Sequence, residues 1–178
     1  MSTTHRNRAI GLALALIIFL LDQAIKALVT GPLRLDEVGH IPLLPFFDLT
    51  WTENRGVSLG LFSAQSREGQ LVLVGLTSLI AAVVTVWMLR ERLLGDITAL
   101  ALILGGAIGN IRDRYLYGYV IDYADLHIGG VRPFLIFNVA DAAISIGVVI
   151  ILVRSLFMSE KPAETQANRK ADDSAEIS

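Results

Sequence analysis

Four long apolar blocks organise the chain, and the stretches between them carry nearly all of the charge. The first runs from about Ala9 to Val29 and is free of charge from Ala9 to Leu21. The second is Leu71 to Leu89, closed by Arg90-Glu91-Arg92. The third, about Leu93 to Ile111, is interrupted only by Asp96 and ends in Gly105-Gly106-Ala107-Ile108-Gly109-Asn110. The fourth, about Val139 to Met158, has Asp141 near one end and Arg154 near the other. At about 1.5 Å of rise per residue, each block is long enough for a hydrocarbon core of about 30 Å. The pattern predicts an all-α membrane protein with four transmembrane helices.

The intervals between the blocks are patterned as well. The two long loops span 30–70 and 112–138. Phe46-Phe47-Asp48-Leu49-Thr50-Trp51-Thr52 has strand composition with partial alternation. Tyr115, Tyr117, Tyr119 and Val120 fall at a period of two before Asp122. Together they predict a small extracytoplasmic β-sheet element, with Trp51 and the tyrosines at the membrane interface. Residues 1–158 form one four-span unit. Residues 159–178, rich in Glu, Lys, Ala, Asp and Ser, read as a polar, disordered cytoplasmic tail.

Composition agrees with the pattern. Of 178 residues 53% are hydrophobic and 18% charged, and mean hydropathy is +0.58, outside the usual range of soluble domains. The formal net charge of −2 and the lack of a basic stripe give no footing for nucleic acid. Without cysteine there is no disulfide, thiolate nucleophile or Cys-based metal site. His5, His40 and His127 lack ligand-like spacing. Asp22 and Lys26 stand where a signal-peptide cleavage pattern would follow the first block, so that block reads as a retained span.

Four spans place both termini on one side. Arg6, Arg8, Arg90, Arg92, Arg154 and Lys161 crowd that side, while the long loops are thinner in basic residues despite Arg112 and Arg114. The positive-inside rule then puts both termini in the cytoplasm and both long loops outside. On this layout every unusual polar residue falls at one membrane face: Asp22, Lys26, Asn54, Gly56, Asn110, Asp113, Arg114, Asp122, Asn138 and Asp141. Reversing the protein moves them all together.

Several of these positions have a structural explanation alongside a functional one. Asp22 and Lys26 are four apart and suit an ion pair on one helical face. The glycines of the third block suit close helix packing. Asp113, between Arg112 and Arg114, fits solvated interfacial charge equally well. Asn138 followed three residues later by Asp141 resembles a capping box. Carboxylates at the edge of hydrocarbon are functional candidates by default. Asp141 at a helix start favours the ionised form. Asp122, flanked by Ile121 and Tyr123, suits a drier place that favours the neutral acid. A pair with that asymmetry is equipped for acid–base activation of water, and the 18 residues between them are long enough to bring them together.

Five stretches, in order, resemble the lipoprotein signal peptidase (signal peptidase II) family of bacterial membrane aspartic peptidases. They are Asp22-Gln23-Ala24-Ile25-Lys26, Asn54-Arg55-Gly56-Val57-Ser58, Gly105 to Arg114, Val120-Ile121-Asp122-Tyr123, and Phe137-Asn138-Val139-Ala140-Asp141. The resemblance covers about Ala9 to Met158, and Tyr123 stands where phenylalanine is common. It implies four spans and a small extracytoplasmic sheet, and cleavage of diacylglyceryl-modified prolipoproteins just before the lipidated cysteine. It places the catalytic pair on Asp122 and Asp141, and supporting positions on Asp22, Lys26, Asn54, Gly56, Asn110, Asp113, Arg114, Asn138 and Ala140. The expected location is the bacterial cytoplasmic (inner) membrane, with the active site on the extracytoplasmic side. Expected partners are lipidated prolipoproteins, membrane lipid and globomycin-type inhibitors; no cofactor, metal or nucleic acid is expected, and the protein is expected to be monomeric. Two rival readings remain at this level. An ion-coupled transporter would gather its ionisable groups near the midplane. A non-enzymatic scaffold would tolerate loss of either aspartate.

Overall fold

The computed structural model describes residues 3–56, 66–129 and 131–158. Val57-Ser58 of the second motif and the tail 159–178 lie outside the described residues. The elements are α1 (Thr3–Thr30), α2 (Leu35–Val38), β1 (His40–Leu44), β2 (Phe47–Asn54), α3 (Arg67–Arg90), α4 (Leu94–Tyr117), β3 (Val120–Leu126) and α5 (Val139–Met158). α1, α3, α4 and α5 are each long and apolar enough to cross a bilayer.

α4 is the hub, and α1, α3 and α5 all pack on it. Half of its most apolar window is buried, against 17–22% for the other three helices. Small residues make this possible. A Cβ on Gly105 would lie 2.5 Å from the Ala15 carbonyl oxygen of α1, and one on Gly106 would lie 2.4 Å from that of Ala140 in α5. Backbones this close gain packing that lipid cannot compete with. Ile97, Leu100, Ala101 and Leu104 of α4 form the apolar core with Ala15, Ala81 and Met88. Long side chains such as Leu16, Leu20, Leu79, Val83 and Val149 face outward, as hydrocarbon solvent permits. On these faces Thr77, Thr85 and Thr98 return their hydroxyls to carbonyls one turn back.

The three strands form one antiparallel sheet in the order β1-β2-β3. β2 runs two residues beyond the expected Thr52, to Asn54, where it faces Val120. β1 and the short α2 carry no clear signal in the sequence. One expectation is corrected. Tyr115 and Tyr117 are helical rather than strand residues, because α4 continues to Tyr117 and stops only at Gly118 (φ 79°), whose N–H bonds the Arg114 carbonyl. That left-handed stop turns the chain into β3. The third helix therefore carries Asn110, Asp113 and Arg114 on rigid backbone.

The segment before α5 also joins the sheet. Phe137 pairs with Ala124, with N–H···O bonds of 2.8 and 3.1 Å in the two directions. This return pairing sets the register of Asn138 beside Asp122. Ile121, Tyr123, Leu49, Val29 and Leu35 seal the far side of the sheet against α1 and α2.

Candidate active site

Asp122 lies in the middle of β3, opposite Thr52 of β2, and is 1% exposed. Its Oδ1 accepts a 2.6 Å hydrogen bond from Asn138 Nδ2, and the Asn54 side chain also favours its charged form. Asp141 lies in the first turn of α5. Its Oδ1 accepts from Asn110 Nδ2 at 2.8 Å, and its Oδ2 accepts from the Asn138 N–H at 3.4 Å.

Asn138 joins the two carboxylates. Its Oδ1 accepts the Asp141 N–H at 2.9 Å, which completes a reciprocal capping box. That donor demands an oxygen, so the amide orientation is fixed and Nδ2 is left to face Asp122. Nδ2 also lies 3.2 Å from the Ile121 carbonyl and 3.3 Å from Asn110 Oδ1. The capping box is therefore present, and it leaves the Asn138 amide nitrogen in contact with Asp122.

Asn110 is the second connector. Its oxygen accepts from Lys26 Nζ at 3.3 Å while its nitrogen holds Asp141. Lys26 also binds Asp22 at 2.8 Å and Asp113 at 2.7 Å, with all three side chains at most 3% exposed. Asp113 is thus a buried ion-pair partner, not solvated interfacial charge. Asp22 Oδ1 accepts the Ala140 N–H at 3.1 Å, so α1 supplies an acid to the N-terminus of α5. Ala140 is fully buried. Its side chain faces Gly109, where an added Cβ would sit 2.6 Å from Asp22 Oδ2. Gln23 links Asp22 and Asp113 at 3.0 and 3.2 Å and accepts from Arg112, a role its place in the first motif did not reveal.

Gly56 and Arg114 close the opposite wall. Asn54 Oδ1 accepts the Gly56 N–H at 2.9 Å in a tight turn. Gly56 has φ +80°, a conformation that costs little only for glycine, and a Cβ there would meet Leu73 and the Arg114 guanidinium. The charges of Asp141, Asp122 and Asp113 all act on Arg114. Asp122, Asn54, Gly56, Arg114, Arg132 and Phe134 are among the residues that line an open cavity of about 880 Å³. Arg132 is held there by a two-pronged contact with Asp125, at 2.9 Å on each arm. Neither Arg132 nor Asp125 was a candidate site residue in the sequence.

The sequence-named residues thus gather around one end of the bundle, on α1, β2, β3, α4 and the start of α5. The carboxyl of Asp122 is pushed up to about 7, first by burial and then by the neighbouring charge of Asp141, against the pull of Asn54 and Asn138. A carboxyl that exchanges its proton near neutrality, beside a second carboxyl, is suited to general acid–base chemistry.

Residues 14–157 match the family described as signal peptidase (SPase) II. A lipoprotein signal peptidase of Sphingopyxis alaskensis is 52% identical over 91% of this chain and 94% of its own. One from Rhodopseudomonas palustris is 38% identical over 83% and 92%. A bacterial membrane enzyme solved by the in meso method at 2.3 Å superposes with a TM-score of 0.74 at 26% identity, over 88% of this chain and 93% of the other. Four membrane-length helices, a small sheet and this span of matched sequence agree: the chain belongs to the signal peptidase II family of membrane peptidases.

Proposed function

We propose that the protein is an aspartic endopeptidase that removes signal peptides from diacylglyceryl-modified prolipoproteins, cutting before the lipidated cysteine. Asp122 and Asp141 are the catalytic pair. The observation that carries this reading is Asn138, which donates to Asp122 through its side chain and to Asp141 through its backbone.

The chemistry follows from the asymmetry of the pair. Asp122 holds the shared proton near neutral pH. Asp141, as carboxylate, takes a proton from water as the oxygen attacks the scissile carbonyl. Asp122 gives its proton to the carbonyl oxygen, and a tetrahedral diol forms. As the diol collapses and the C–N bond breaks, one diol hydroxyl returns its proton to Asp122, and the proton gained by Asp141 passes to the leaving amine, which restores the starting pair. Asn54, Asn110 and Asn138 hold the two carboxyls, while Arg114 and Gly56 shape the cavity that receives the peptide. Lys26, Asp22, Asp113 and Ala140 tie α1, α4 and α5 into a frame that fixes the start of α5.

Location fits the substrate. The lipid chains stay in the bilayer, so the scissile bond waits at headgroup depth. A pair at the ends of the helices meets it there, whereas a transporter site belongs near the midplane. The basic residues near Arg8, Arg90 and Arg92 support a reading with both termini in the cytoplasm and the site on the extracytoplasmic face of the bacterial inner membrane. Globomycin-type cyclic peptides are expected to occupy the same cavity. The test is cleavage in detergent of one prolipoprotein with and without its diacylglyceryl group. Cleavage of the lipidated form alone, unaffected by EDTA, is the expected result; equal cleavage of both forms, or loss with EDTA, contradicts it.

A further inference from the structure

Behind the catalytic cavity lies a second hollow of about 250 Å³, bounded by the first turn of α3 and the last turn of α4. Three guanidinium groups line it, those of Arg55, Arg67 and Arg114, and no carboxylate does among the described residues. Of these cations, Arg55 is paired with Glu53 at 2.5 Å and stacks 5.3 Å above the Tyr119 ring. Arg114 feels the charges of Asp141, Asp122 and Asp113, while its buried Nε has no hydrogen-bond partner among the described residues. Arg67 is exposed at the positive end of a 24-residue helix, where the helix dipole adds to its charge. Residues 57–65, Val-Ser-Leu-Gly-Leu-Phe-Ser-Ala-Gln, contain no acid that could neutralise it.

The hollow is amphiphilic. Its cationic rim is Arg55 and Arg67, while Leu71 and Leu116, each about half exposed, mark the side toward hydrocarbon. Tyr115 and Tyr117 stand beside them, exposed at the level where aromatic residues meet headgroups. These arginines also run against the charge bias that orients the protein, so their placement on the long-loop side is not explained by topology.

We propose that this hollow binds one anionic phospholipid of the surrounding leaflet, with its phosphodiester on Arg67 and Arg55 and its acyl chains along Leu71 and Leu116. Arginine suits this task because its planar donors match phosphate oxygens. The hollow shares Arg55 and Arg114 with the catalytic cavity but is not lined by Asp122, so the bound lipid is a neighbour of that cavity rather than its substrate. The assignment needs only the membrane location and stands whether or not the peptidase scheme holds.

The test uses the full chain, delipidated and returned to nanodiscs or detergent with defined lipid, and counts retained lipid by native mass spectrometry. Wild type should retain one phosphatidylglycerol in preference to phosphatidylcholine. Arg67→Gln should weaken that retention about tenfold, the usual scale for one charge-assisted bond, and Arg67→Lys should restore part of it. Thermal unfolding supplies a second readout: phosphatidylglycerol should raise the wild-type Tm more than that of Arg67→Gln. Equal retention of the two lipids, or retention unchanged by Arg67→Gln with Arg55→Gln, overturns the proposal. Protection by glycerol phosphate equal to that by the lipid also overturns it, because the acyl contacts would then contribute nothing.

Discussion

Asn138 joins a helix cap to a contact with the proposed catalytic Asp122. Its oxygen caps α5 and its nitrogen reaches Asp122. Asn138→Ala should lose the cap, about 1 kcal/mol, and one donor to a buried carboxyl. Turnover should fall more than that stability loss explains, which kinetics and unfolding on one preparation would separate. Asp122 makes the pH dependence specific. Its carboxyl lies above the ordinary value of 3.8, at about 7, so the folded protein holds this proton more tightly than the unfolded chain does. Stability from this group is therefore full below about pH 4 and is lost as pH rises through 7. Asp122→Asn should raise Tm relative to wild type at pH 8 and leave it nearly unchanged at pH 4. For activity, kcat/KM should fall above about pH 7 as the proton is lost, with limbs that belong to the pair. At this scale the sequence was informative: an acid beside Ile121 and Tyr123, and an Asn-x-x-Asp spacing before an apolar run, each carry a local signal. The sharing of Asn138 between two acids depends on the Phe137–Ala124 pairing, which no local pattern announces.

Among the elements, α4 decides the site. It is the most polar of the four spans because its polar positions face α1 and α5 rather than lipid. Lys26 of α1 holds Asp22 and Asp113 together in a nearly solvent-free place. Lys26→Met keeps the bulk and removes the cation, leaving two acids facing each other. A loss of about 3–5 kcal/mol is expected from unfolding in mixed micelles, and a loss below about 1 kcal/mol would mean that the triad is not a structural unit. Gly109→Ala pushes a methyl group onto the Asp22 carboxylate. It should cost about 1–3 kcal/mol and lower turnover by shifting the start of α5. The glycines were legible as packing residues, since small residues in an apolar block have few other uses. The end of α4 was not. Tyr115, Tyr117 and Tyr119 fit a period of two as well as a helix end, and Gly118 was the one residue that distinguished them.

At the level of the whole molecule, the apolar blocks specified the number of helices because hydrocarbon leaves few alternatives. The sheet was only half legible: Phe47–Asn54 announced itself by composition, whereas His40–Leu44 pairs by proximity after a two-residue turn. Orientation rests on charge asymmetry alone. The absence of cysteine makes it directly measurable. Ile128→Cys, on an exposed loop residue, should react with a membrane-impermeant maleimide in cells with a permeabilised outer membrane. Arg92→Cys, in the turn between α3 and α4, should react only after the inner membrane is opened. The reverse pattern would invert the protein and move the site to the cytoplasmic face. The central claim is that two carboxyls act as one device, and a double-mutant comparison tests it most directly. Cleavage of a lipidated prolipoprotein should be followed with wild type, Asp122→Asn, Asp141→Asn and the double variant, each checked for folding. The expected result is a loss of about a thousandfold or more for either single change, with the double variant no worse, as for groups that work as a unit. Near-normal cleavage by either single variant, or losses that multiply in the double, would contradict a shared-proton pair.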